Sequence, residues 1–183
     1  MKTIDNDIKD GRIKKAYLLY GEERYLIRQY RDKLINAIVQ PDDTMNFSSF
    51  EGAEVNQKEI IDLAETLPFF AEKRLILIED TGMPTAPDTT FFVFVEEEID
   101  KRSKLYKAIA KSEGNAVEFS TQSDDTLARW VGGRIKKEGK GMTQAAYNLF
   151  IAKTGTDMEN IDKELEKLLC YCLEKDTIEE ADV

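Results

Sequence analysis

AYLLYGEERYLIRQYRDKLINAIVQP, residues 16–41, begins as a strand and ends as a helix. Ala16 to Tyr20 form a short apolar run that stops at Gly21. Leu26, Ile27, Tyr30, Leu34 and Ile38 then recur at helical spacing until Pro41 breaks the pattern. The same alternation continues along the chain. MNFSSFEG (45–52) gives a second strand from alternating Met45, Phe47 and Phe50. Asn56, with Glu59 three residues on, caps a helix carrying Ile60, Leu63, Ala64 and Leu67. RLILIED (74–80), TTFFVFVEEE (89–98) and AVEFS (116–120) add three more strands, and KRSKLYKAIAKSEG (101–114) puts Leu105, Ala108 and Ile109 on one helix face. Near-continuous apolar strands separated by amphipathic helices argue for an α/β domain: a mostly parallel sheet with helices on both faces.

One connection resists this pattern. Only TGMPTAPD (81–88) separates two of the strands, whereas a parallel crossover takes about a dozen residues or more. Either these strands are not neighbouring parallel partners joined in the usual way, or a helix-sized segment is absent.

From Asp124 the strand pattern ceases. Leu127, Trp130, Val131 and Ile135 mark one helix, broken at Gly139 and Gly141. Thr143 opens a second, with Ala146, Leu149, Phe150 and Lys153, which Gly155 ends. Thr156 and Glu159 form a capping box for a third, with Ile161, Leu165, Leu168, Leu169 and Cys172 inward. The polar stretch STQSDD (120–125) marks the boundary, giving an α/β domain over 1–122 and a small all-helical one over 123–183. TIEEADV (177–183) reads as the first turn of a further helix, so the chain is expected to be a fragment.

Composition narrows the chemistry. No apolar run approaches the roughly 20 residues of a membrane span, and the first residues lack the build of a secretory signal, so the expected location is cytoplasmic with no membrane partner. A formal charge of -10 makes the molecule as a whole repel nucleic acid, so any DNA contact must be local. The basic cluster Arg129, Arg134, Lys136, Lys137 and Lys140 is the candidate, with a solvated helix face as the alternative. Cys170 and Cys172 stand too close on one helix to bridge each other. With no histidine in the chain, neither a metal site nor histidine-based catalysis is expected.

The turn after the first strand is where a P-loop would cradle phosphate. The pattern begun at Gly21 needs Gly, Lys and Ser or Thr at 26–28, and finds Leu26, Ile27 and Arg28. Glu22 and Glu23 would repel an anion there. Glu79 and Asp80 stand where a Walker B pair would bind magnesium; without the lysine and hydroxyl they read as polar residues closing a buried strand. No catalytic residue and no cofactor is expected.

Taken together, AYLLYGEERYLIRQYRDKL, LPFFAEKRLILIED, FVEEEIDKRSKLYKAIAK and the tract from LARWVGGRIKKEG through NIDKELEKL resemble the delta subunit of the bacterial DNA polymerase III clamp loader. The resemblance runs in order over essentially the whole chain. It implies an AAA+-like fold with a non-functional nucleotide site at Gly21, Leu26, Ile27 and Arg28, followed by a helical lid domain. It also implies a third, collar domain, absent from this chain, that joins the gamma/tau and delta-prime subunits, with DNA met only indirectly. Delta subunits hold and open the ring-shaped sliding clamp without hydrolysing ATP.

LPFFAEKRLILIED (67–80) carries the corner on which that function turns. From the residues alone, Phe69 and Phe70 have two readings, core beneath the sheet or insertion into a partner. The resemblance implies insertion, with Leu67, Pro68, Phe69 and Phe70 as the clamp-binding segment and the two rings as its wedge. Two alternatives stand beside it: an active P-loop-like NTPase, which Leu26, Ile27 and Arg28 oppose, and a delta-prime type subunit, whose zinc-binding cysteines and SRC motif this sequence lacks.

Overall fold

The computed structural model describes residues 1–52, 56–79, 90–111 and 114–183. The chain divides into two compact units, residues 1–120 and 121–183. Asp80 and the connection 81–88 lie outside the described residues.

The first unit contains α1 (Lys2–Lys9), β1 (Ala16–Tyr20), α2 (Arg24–Ile38), β2 (Phe47–Glu51), α3 (Gln57–Ala64), β3 (Arg74–Glu79), β4 (Thr90–Glu96), α4 (Lys104–Lys111) and β5 (Asn115–Glu118). Its sheet has the order β2-β3-β4-β1-β5, and every pairing is parallel. β3 and β4, the strands on either side of the short connection, are direct parallel neighbours with Arg74 opposite Thr90. The alternative that they are not neighbouring parallel partners therefore falls.

Side chains alternate between the sheet faces. Leu18, Tyr20, Ile76, Ile78, Phe92 and Phe94 form one buried layer with Ile60 and Ala64 of α3 and Leu105 and Ile109 of α4. The intervening Tyr17, Leu19, Leu75, Leu77, Phe91 and Val93 are also buried, and α2 packs against β1, β3 and β4. Both faces are thus covered, which is why the inner strands are apolar at nearly every position.

Helix α1 was not expected. Its two isoleucines, Ile4 and Ile8, give too short a pattern to read, although Ile4 is fully buried. Polar groups fix its position: the Tyr30 hydroxyl donates to Asp5 at 2.7 Å, and the Tyr17 hydroxyl and Asn115 Nδ2 donate to Asp7 at 3.0 and 2.6 Å.

The second unit contains α5 (Asp124–Lys137), α6 (Gln144–Thr154) and α7 (Met158–Tyr171), with two-residue strands β6 (Gly141–Met142) and β7 (Thr177–Ile178) pairing in parallel. A single 3-10 turn, Glu180–Asp182, stands where a further helix was expected to begin. Of the positions read at helical spacing, Leu127, Val131, Ile135, Ala146, Phe150, Ile161, Leu165, Leu168, Leu169 and Cys172 are buried, Trp130 and Leu149 are half-buried and Lys153 is exposed. The cap of α7 is one residue later than expected: Asp157, not Thr156, accepts from the Asn160 N–H at 2.7 Å. Cys170 and Cys172 are free thiols, the first exposed and the second buried. No helix among the described residues is long and apolar enough to cross a membrane.

Candidate functional site

Helix α3 starts as the sequence dictates, with the Asn56 side chain accepting from the Lys58 N–H at 3.0 Å. It ends earlier than the apolar spacing suggests. Leu67, expected on the inner face, lies beyond the last helical residue, Ala64, and is 78% exposed. The residue before a proline is pushed out of helical geometry, so Leu67-Pro68 cannot extend α3.

The carbonyls left open at the end of α3 are bound by the protein itself. Arg74, the first residue of β3, is only 6% exposed. Its guanidinium donates to the carbonyls of Leu63 at 2.9 Å, Thr66 at 3.3 Å and Leu67 at 3.3 Å, and to the Thr66 hydroxyl. The buried Thr90 hydroxyl donates to the Ala64 carbonyl at 2.8 Å. A cation at this end also complements the helix dipole.

The other side of the corner is tied down by Asn46, 2% exposed in the loop before β2. Its Oδ1 accepts from the Phe69 N–H at 2.6 Å and its Nδ2 donates to the Phe69 carbonyl at 3.0 Å. Asp43 in turn accepts from the Asn46 backbone N–H at 3.0 Å and from Nδ2 at 2.8 Å. Hydrogen bonding by Asn46 holds the Asp43 carboxyl below its usual range.

A fixed backbone thus presents free side chains. Phe70 is 96% exposed and Phe69 53%. Their rings meet edge to face, with centroids 4.6 Å apart. Phe70 is the one non-glycine residue among those described with positive φ, at 49°. Left-handed backbone is costly for a bulky side chain and persists only where its surroundings enforce it. Asn46 and Arg74 hold the backbone just before Phe70, at Phe69 and at Thr66 and Leu67. Pro68 is half-buried, and Met45, expected to alternate inward in β2, is exposed just before Asn46.

At the position of a P-loop, the loop is closely packed. Gly21 has φ 127°, and a Cβ there would lie 2.4 Å from the Phe119 carbonyl oxygen. That carbonyl accepts from the Glu23 N–H at 2.9 Å, and the Phe119 N–H donates to the Tyr20 carbonyl at 2.7 Å. The backbone of Phe119 therefore sits against the loop whose N–H groups would face a phosphate. Leu26 and Ile27 are core residues and Arg28 is exposed. Glu79, where a magnesium-binding carboxylate would stand, pairs with Arg31 at 3.1 Å, and Arg24 pairs with Glu97. Its expected companion, Asp80, lies outside the described residues.

The basic cluster is divided in its roles. Lys140 donates to the carbonyls of Cys172, Leu173 and Lys175 at 2.8, 2.8 and 2.6 Å, closing the C-terminal end of α7. Arg134 pairs with Asp162 at 3.1 Å. Arg129 donates to the Asp125 carbonyl and the Thr126 hydroxyl on its own helix, while Lys136 and Lys137 are exposed.

The family described as DNA polymerase III, delta subunit, matches residues 17–85, a stretch that includes the corner. The chain is similar to DNA polymerase III subunit delta of Bacillus subtilis (strain 168), 27% identical over 205 residues, covering 96% of this chain and 57% of that protein. It is also similar to the probable DNA polymerase III subunit delta of Aquifex aeolicus (strain VF5), 23% identical over 185 residues, covering 88% of this chain and 51% of that protein. The chain therefore spans about half the length of the curated relatives it matches. Among solved structures, the Bacillus subtilis DNA clamp loader delta protein superposes with a TM-score of 0.71 at 24% identity, over 100% of this chain and 60% of that one. A DNA polymerase III gamma subunit-related protein from Thermotoga maritima gives 0.54 at 10% identity, over 93% of this chain and 61% of that one. The resemblance to the delta subunit holds, and so does the AAA+-like fold, except that the second unit, expected to be all-helical, also carries the short β6–β7 pair.

Proposed function

We propose that this relative of the DNA polymerase III delta subunit serves DNA replication as a clamp-loader component that binds the ring-shaped sliding clamp and opens it, without hydrolysing ATP itself. The observation that carries the reading is Phe70: an aromatic side chain 96% exposed, on left-handed backbone, at a corner fixed by buried Asn46 and Arg74. Water-exposed phenylalanine contributes nothing to this chain's own core. Transfer of such a ring into an apolar pocket is worth about 1.5–3 kcal/mol. Phe69 and Phe70, with Leu67 and Pro68 beside them, form a compact apolar protrusion suited to the centre of an interface.

The mechanism is selection of a conformation. If the rings fit the clamp better when its ring is open, binding shifts the clamp toward the open form by the difference in affinity, and no chemistry is needed in this subunit. ATP then acts in neighbouring subunits of the gamma/tau and delta-prime types, joined through a collar domain beyond the present sequence. The closed loop at Gly21 and the Arg31–Glu79 pair support a non-catalytic role within a polymerase holoenzyme. DNA is met as part of the assembled complex, with Arg129, Lys136 and Lys137 the basic side chains best placed to reach it, and the setting is the cytoplasm.

Calorimetric titration of a purified bacterial sliding clamp tests the reading. The parent chain binds, and a folded Phe69→Ala, Phe70→Ala double variant does not. Equal binding by both would sink it.

A further inference from the structure

One flank of Phe70 is an open groove of about 570 Å³ between the end of α2 and the corner, with Ile38, Val39 and Pro41 on one side and Glu72 on the other. Three carboxylates line it, Asp42, Asp43 and Glu72, against one cation, Lys73. Asp43 is committed to Asn46, and the Lys73 ammonium lies 5.5 Å from the centre of the Phe91 ring. Asp42 and Glu72 are exposed, and neither side chain has an ion-pair partner among the described residues.

A surface that takes in the Phe70 ring must come down over this groove. Covering two carboxylates without compensation costs free energy, whereas opposite charge recovers it. We infer that the groove is a cation-accepting rim, and that the clamp pocket receiving the rings is edged by lysine or arginine side chains that meet Asp42 and Glu72. The inference rests on the clamp-binding reading and adds to it what the rings cannot supply: the rings bind any apolar pocket, while the carboxylates choose one with a basic edge and speed the encounter.

The test is titration of a purified bacterial sliding clamp at about 50 mM and about 500 mM salt, which spans weak to strong screening. Four chains are compared: the parent, Phe70→Ala, an Asp42→Asn, Glu72→Gln double variant, and a Glu166→Gln, Glu174→Gln double variant that removes the same charge from exposed positions in the second unit. The expected result is a roughly 3- to 10-fold weaker affinity for the Asp42/Glu72 variant at low salt, with a flatter salt dependence. The Glu166/Glu174 variant should match the parent. If Phe70→Ala loses binding while the Asp42/Glu72 variant matches or exceeds the parent, the basic edge is overturned and clamp binding stands. Equal weakening by both charge variants also overturns it, because only net charge would then matter. If the parent does not bind, or Phe70→Ala binds like the parent, the clamp-binding reading fails and takes this inference with it.

Discussion

Asn46 and Phe69 are joined by two reciprocal hydrogen bonds, side-chain amide to backbone, at 2.6 and 3.0 Å. The asparagine is buried and the phenylalanine ring reaches solvent. This pair fixes the protruding corner from one side as Arg74 fixes it from the other.

Asn46→Ala removes both bonds and leaves the N–H and C=O of Phe69 without their partner. An orphaned polar group costs about 1–3 kcal/mol, so urea denaturation should show a loss in that range. Clamp affinity should fall as well, although Asn46 itself is buried. A loss under about 0.3 kcal/mol with unchanged affinity would show that the corner holds itself.

The sheet was legible because its strands are buried on both faces and its helices keep a 3.6-residue period; both signals are local. The protrusion was not legible, since Pro68-Phe69-Phe70 before a strand suits a core as well as a protrusion; the resemblance singled out these residues as a partner-binding segment but left open whether the rings are exposed in the free protein. Asn46 and Arg74 gave no signal. A polar residue whose partners are backbone atoms 23 or 11 positions away leaves no period in the sequence. Leu67 and Met45 misled for the converse reason, being apolar residues at inward-looking spacings where the regular element had already ended or not yet begun. The α7 cap shifted by one residue because Thr156 and Asp157 are both competent and only geometry chooses between them.

Gly21→Ala tests the closed loop after β1. The new Cβ would meet the Phe119 carbonyl oxygen, a backbone atom that accepts from the Glu23 N–H, at 2.4 Å, with φ already unfavourable for any side chain. Overpacking of this kind costs about 1–3 kcal/mol. The parent should show no rise in melting temperature with millimolar magnesium-ATP, since a ligand that binds the folded state stabilises it. A clear rise would restore the nucleotide-binding alternative.

Asp43 gives the corner a pH dependence. Its carboxyl titrates below its usual range because it accepts hydrogen bonds from Asn46. A depressed folded-state pKa means that the stabilisation is fully present above the unfolded value of about 4 and is lost as pH falls through the lower folded value. The Phe69 amide resonance, one bond further along the same chain of contacts, should be constant from pH 7 to about 5 and move below about pH 4. In Asp43→Asn that low-pH movement should vanish. Its persistence would place the titrating group elsewhere.

Phe70→Gly and Phe70→Ala separate conformation from contact. Both remove the ring, so both should lose clamp binding. They differ in backbone: alanine keeps the penalty of left-handed geometry, roughly 1 kcal/mol or more, and glycine does not. Because a ring 96% exposed contributes little burial to lose, the glycine variant should be more stable than the alanine variant by about 1 kcal/mol. That ordering would show that the chain sacrifices stability to hold an aromatic side chain outward. If alanine proved the more stable, the corner would adopt another backbone in solution, and the argument for a preorganised wedge would lose its main support.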